Sequence, residues 1–177
     1  MSDRYRVVDA FLQAAKTSPT AGNDSFAYNV KFNSRAQGVT SETVTAAMRG
    51  DRMGQQEMAS YRVVLDIDGN ANAWESLRWK LGHGAPVIKA KSLHYIQWYY
   101  PLLTHGKELW VPPIDRIVAD AMAVARNETL CEELSDRAHA FALRHLAHGA
   151  AKASLLQCLG NLSQFRTPAR WAIAGQP

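Results

Sequence analysis

Cysteine is scarce in this chain: only Cys131 and Cys158 occur in 177 residues, both in helical-looking segments without metal-ligand spacing. Neither a disulfide framework nor a zinc site is indicated. No apolar run approaches the length of a membrane span. The first residues, MSDRYRVVDAFLQ, are charged and amphipathic, so they do not read as a secretory signal. Without such a signal the glycosylation triplets at Asn23, Asn127 and Asn161 read as chance. The chain reads as cytoplasmic, at most peripheral to a membrane. A concentrated basic run is missing too, although Lys and Arg outnumber Asp and Glu by 20 to 16. The resulting formal charge of +4 mildly favours an anionic partner, and the scatter of the basic residues argues against nucleic acid. No P-loop, Gly-x-Ser-x-Gly elbow or Cys–His nucleophile pattern is present.

What is present is ordinary globular composition, 47% hydrophobic and 20% charged, in a length suited to one domain over 1–177. Val7, Val8, Phe11, Leu12 and Ala15 recur at helical spacing and predict a first helix over 2–16. Residues 26–32 alternate like a half-buried strand, 40–50 predict a helix capped by Ser41, and 51–60 predict a loop or irregular helix. Beyond residue 113 the pattern is helical over 115–126, 129–146 and 150–165, with Asn127 and Gly149 at the breaks.

The most specific stretch lies between, from Tyr61 to Lys91. Tyr61 to Ile67 predicts a buried strand and Asp68-Gly69-Asn70 a tight turn. Asn72 and Glu75 form a capping box that opens a helix, and Gly82 and Gly84 stop it. Residues 85–89 predict a second strand, giving a βαβ unit. Ser92 then caps an aromatic helix over 93–103, and 108–112 predict a short strand. Strands separated by helices predict an α/β fold, a Rossmann-like, largely parallel sheet flanked by helices.

In such folds ligands bind at the carboxyl ends of the strands. A glycine turn leading into a helix offers backbone N–H groups and the positive end of the helix dipole to an anion such as a diphosphate. Simple chain reversal is the competing explanation for Asp68-Gly69-Asn70. Asp66 and Asp68 share a strand face and could serve as acid and base, but they would repel a diphosphate and are assigned no catalysis. Arg78, Lys80, Lys89 and Lys91 surround the unit and could balance phosphate charge. Trp98, Tyr99, Tyr100 and Trp110 could stack on a base or sugar, or form core. His145 and His148 could share a helix face, but no suitably spaced carboxylate completes a metal site.

The succession YRVVLDIDGNANAWESLRWKLGHGAPVIK, SLHYIQWYYPLL and ELWVPP resembles glycosyltransferase family 90, which includes lipopolysaccharide-modifying, capsule-associated and protein O-glucosyltransferases. The resemblance runs from about Tyr61 to Pro112. It implies a GT-B architecture of two Rossmann-like halves, of which this chain resembles the C-terminal, donor-binding half. It implies a UDP-sugar donor, a glycan, lipopolysaccharide or protein hydroxyl as acceptor, and neither metal nor further cofactor. Asp68, Gly69, Asn70 and Trp74 match the family's donor loop. Gly84 and Lys89 match the glycine turn and strand that follow. Tyr95, Trp98, Tyr99 and Tyr100 match the aromatic helix, and Trp110, Val111 and Pro112 the last strand.

The pattern departs from the family in three places. Glu75 stands where an arginine is expected to hold phosphate, with Arg78 one turn later. Gly84-Ala85-Pro86 replaces Gly-Ser, and Leu109-Trp110 replaces His-Tyr. The family's acceptor half, with its catalytic aspartate base, has no counterpart before Met1, so the catalytic residues are unassigned. Activity as a hexosyl- or pentosyltransferase then requires a partner chain carrying that half; a homo-oligomer is the other association expected. The expected donor contacts are Asp68, Gly69, Asn70, Trp74, Arg78, Gly84 and Lys89. The alternative is a truncated, non-catalytic interaction or sugar-nucleotide-sensing module.

Overall fold

The computed structural model describes residues 3–17, 29–31, 45–68, 74–91 and 96–163. The predicted turn residues Gly69 and Asn70 lie outside these, as do Tyr95, most of the predicted strand 26–32, and the proposed cap Ser41.

The expected Rossmann-like sheet is not what forms. Among the described residues the chain is dominated by helix, and its only sheet has two strands. The element order is α1 (Asp3–Thr17), α2 (Gln55–Ala59), β1 (Val64–Asp66), α3 (Trp74–Gly82), β2 (Val87–Lys89), α4 (Ile117–Arg126), α5 (Glu128–Phe141) and α6 (His148–Ser163). The strands are parallel and in the register Val64↔Val87, Leu65↔Ile88 and Asp66↔Lys89, with α3 as their crossover. The βαβ unit therefore exists, but at three residues per strand it makes a very small sheet.

Two local causes limit that sheet. On one side, residues 108–112 contribute a single parallel bridge, Ile88↔Trp110. There Trp110 donates its N–H to Val87 O at 2.9 Å and accepts from Lys89 N at 2.8 Å. On the other side, among the described residues, β1 ends the sheet. Val64 and Asp66 direct their backbone bonds at the β2 segment, through Val64 N to Pro86 O and Ala90 N to Asp66 O. The carbonyls that face outward are taken by side chains: Lys80 Nζ donates to Leu65 O at 2.8 Å and Arg4 to Ile67 O at 3.5 Å.

Alternation along β2 splits the core between the two faces of the sheet. Val87 packs with Leu77 and Leu81 of α3 and with Ala138 and Phe141 of α5. Ile88 and Ala90 pack with Val7 and Phe11 of α1, Ile117, Ala121 and Val124 of α4, and Leu134 of α5. The helices follow their sequence signals. Asn127 caps α5, its side chain accepting from Leu130 N at 3.0 Å. A π-helical turn, Ala142–Leu146, prolongs α5 and leaves the Leu146 carbonyl to accept from Arg78 Nε at 3.2 Å.

The aromatic helix expected over 93–103 is also corrected. Its described part is a hydrogen-bonded turn at Trp98–Tyr99 and a short 3₁₀ turn, Tyr100–Leu102. Pro101 in that turn has no N–H to give and its ring blocks a continued α-helical ladder.

Candidate binding site at the carboxyl edge of the sheet

Parallel strands bring their carboxyl ends to one edge, and here β1, β2 and the Trp110 segment end together. Asp66, the last residue of β1, is completely buried, 0% exposed. Its alternation with Val64 points the side chain inward, where a carboxylate survives only if it is paired. Three partners satisfy it. Lys80 Nζ lies 2.9 Å and Ser76 Oγ 3.2 Å from Oδ1, both from α3, and Lys89 Nζ lies 3.1 Å from Oδ2. Burial alone would push this carboxyl up. The two ammonium groups outweigh it and hold Asp66 below the usual carboxylate range.

Lys89, the last residue of β2, is only 4% exposed and bridges Asp66 to Asp68 Oδ1 at 3.0 Å. Burial pulls its ammonium down, but Asp66 and Asp68 together raise it above the ordinary lysine value. Its Nζ also stands 5.2 Å from the centroid of the Tyr100 ring, in cation–π range. Two carboxylates and two ammonium groups thus form one buried, neutral cluster.

The tyrosines close the site from the side of the 3₁₀ turn. Tyr99 is 4% exposed and packs edge-on against Tyr100, ring centroids 5.3 Å apart. Its hydroxyl is buried and has no hydrogen-bond partner among the described residues. Burial, then the neighbouring Tyr100, Asp66 and Glu75, push the phenol well above its usual value, so it stays a protonated donor. A buried O–H without an acceptor costs free energy unless something else receives it. That hydroxyl, like the equally unpartnered one of Tyr100, is an unmet polar requirement of this edge that a ligand oxygen would meet.

Of the residues expected to contact a donor, Asp68 and Lys89 are brought together, but paired to each other. Arg78 donates to Glu75 Oε2 at 3.3 Å and to Leu146 O, so it joins α3 to the end of α5. Glu75, which occupies the position where a family arginine is expected, is the ion-pair partner of that arginine. Gly84 stands at the amino end of β2, opposite to Lys89. Its φ of +82° suits glycine, and its carbonyl accepts from Ser135 Oγ, a packing role between the α3–β2 turn and α5. Trp74 begins α3. Trp110 Nε1 donates to Asp120 Oδ2 at 3.1 Å, which ties the last strand segment to α4.

Asp66, Lys80 and Tyr99 are the residues that the expected contact set omits. A signal for the first two was present. An acid at an inward position of an apolar strand demands cations, and Lys80 and Lys89 follow at the far end of the helix and in the paired register. The Tyr99 hydroxyl had none, because its burial depends on tertiary packing.

Among the described residues no three His, Cys, Asp or Glu side chains gather as a metal site. None of the described helices is long and apolar enough to cross a membrane. No protein-family model matches this chain, and no curated protein matches it.

Proposed function

We propose that this chain binds a nucleotide-sugar donor, a UDP-sugar, as the donor domain of a glycosyltransferase. The observation that supports the reading most is the buried Tyr99 hydroxyl, unmet at the carboxyl edge of the strands and beside the start of α3. The electrostatics of the edge are compatible with a diphosphate. Asp66 and Asp68 would repel one if they were bare, but Lys80 and Lys89 cancel both charges. The N-terminus of α3, and the exposed Lys91 just after β2, then add positive potential at the same edge.

Binding is favoured over turnover by this chain alone. Both acidic side chains at the edge are held in ion pairs, and neither is poised to take a proton from an acceptor hydroxyl. The base comes from another domain or chain, and the acceptor is a hydroxyl of a glycan, lipopolysaccharide or protein. Titration calorimetry with UDP and UDP-glucose tests the reading. We expect saturable binding of both, weakened by Tyr99→Phe. Absence of heat from either ligand at millimolar concentration rejects the donor site.

A further inference from the structure

On the opposite side of β1 from β2 lies a cleft of about 1130 Å³. Small-molecule pockets commonly enclose roughly 300–1,000 Å³, so it can take a substantial ligand. Its floor is apolar, built from Val8 and Phe11 of α1, Leu65 of β1, Met58 of α2, and Ala121 and Ala125 of α4. Its exposed rim is charged and unbalanced. Five exposed basic residues, Arg49 and Arg52 among them, stand against the three acids Asp51, Glu57 and Glu75.

The cations on this rim are not consumed as those of the carboxyl edge are. Among the described residues the guanidinium groups of Arg49 and Arg52 have no hydrogen-bond or ion-pair partner. Arg62 is fixed at the base of the rim, its Nε donating to Ala125 O. The Lys31 stem lies across Gly50, where an added Cβ would sit 2.9 Å from Lys31 Cδ. Glycine at that position lets the lysine settle on the rim.

We infer that this cleft binds an amphipathic anion, a single alkyl or acyl chain ending in a phosphate or carboxylate. The floor can bury the chain but offers a polar ring few partners. Guanidinium groups at the mouth suit an oxyanion head, which Arg holds in bidentate fashion. The inference does not depend on the donor-site reading: Ser76 and Lys80 touch both places, but both are held by Asp66, and the rim arginines Arg49 and Arg52 take no part in the carboxyl-edge cluster.

The test is titration of the full chain with dodecyl phosphate, kept below its micelle concentration. Affinity should rise about fourfold for each CH₂ added from hexyl to dodecyl phosphate, as burial of each methylene predicts. Inorganic phosphate and dodecyltrimethylammonium should bind roughly tenfold more weakly or worse, and so should dodecyl phosphate to the Arg49→Ser/Arg52→Ser chain. Both arginines are exposed, so that variant should keep its circular dichroism and melting point. A second variant, Met58→Glu, puts a negative charge on the floor and should weaken binding without touching the rim. Equal binding of the cationic amphiphile, or no loss in either variant, overturns the inference. So does displacement of dodecyl phosphate by UDP, which would move the ligand to the other edge.

Discussion

The two sides of β1 treat charge in opposite ways. Toward β2 its terminal carboxylate is buried and fully neutralised by two lysines. Toward the cleft the cations are exposed, and Arg49 and Arg52 are unpaired among the described residues. The first arrangement holds the βαβ unit together and contributes little net field. The second contributes little to folding and leaves its field available to a ligand. A basic side chain near a candidate site therefore says little by itself. What counts is whether a carboxylate of the same chain has already claimed it.

Several experiments would break this contrast if it were wrong. The largest effect is expected from Asp66→Ala, which leaves the buried Lys80 ammonium without a carboxylate and Lys89 with Asp68 alone. Removing one partner of a buried pair costs about 3–5 kcal/mol, so urea unfolding should show a large drop in midpoint or no folded baseline. A near-neutral Asp66→Ala would mean that the cluster is not structural.

The next test is pH. Because Asp66 is held below its ordinary value in the folded chain, the unfolded chain binds the proton first. Stability from this carboxylate is present above about pH 4, the unfolded value, and is lost as pH falls through the lower folded value. Lys89 behaves in mirror image: raised when folded, it contributes fully below about pH 10.4 and fades as pH climbs through the folded value. Melting curves across pH should slope down at both ends. In Asp66→Asn the acid limb should flatten, if that chain folds.

Tyr99→Phe should do less and in the other direction. Removing a buried hydroxyl that lacks a partner is expected to stabilise the free chain by about 1 kcal/mol. The same change should weaken UDP binding, and this pairing of opposite signs separates a ligand group from a packing group. A loss of stability would show that the hydroxyl is already satisfied. Smallest of all is Arg52→Ser, expected to move stability by about 0.5 kcal/mol or less, since it removes an exposed side chain. A larger fall would place Arg52 with the structural cations rather than with the rim.

The local layers of this fold were legible in the chain. Spacing of apolar residues located α1 and the C-terminal helices, Asn127 marked a break, and 61–89 read as strand, helix and strand. The sheet as a whole was not legible, because its width depends on contacts between distant residues. Residues 108–112 have strand composition but bridge to the sheet only once, and Lys80 and Arg4 take the outer carbonyls of β1. Lys89 shows the same limit at the site. From sequence it is a cation beside a glycine turn and free for phosphate, while in the fold it belongs to Asp66 and Asp68. Tyr99 and Tyr100 are aromatic residues in sequence, and only packing decides that the hydroxyl of Tyr99 is sealed without an acceptor.

The side chains on the outer carbonyls of β1 have one more consequence. A two-stranded sheet with a bare edge is a template on which another molecule can lay its own strand and start to aggregate. At Leu65 and Ile67 the acceptors that such a strand would need are already occupied by an ammonium and a guanidinium. Lys80 thus serves in two places, neutralising Asp66 within the fold and guarding the sheet against self-association.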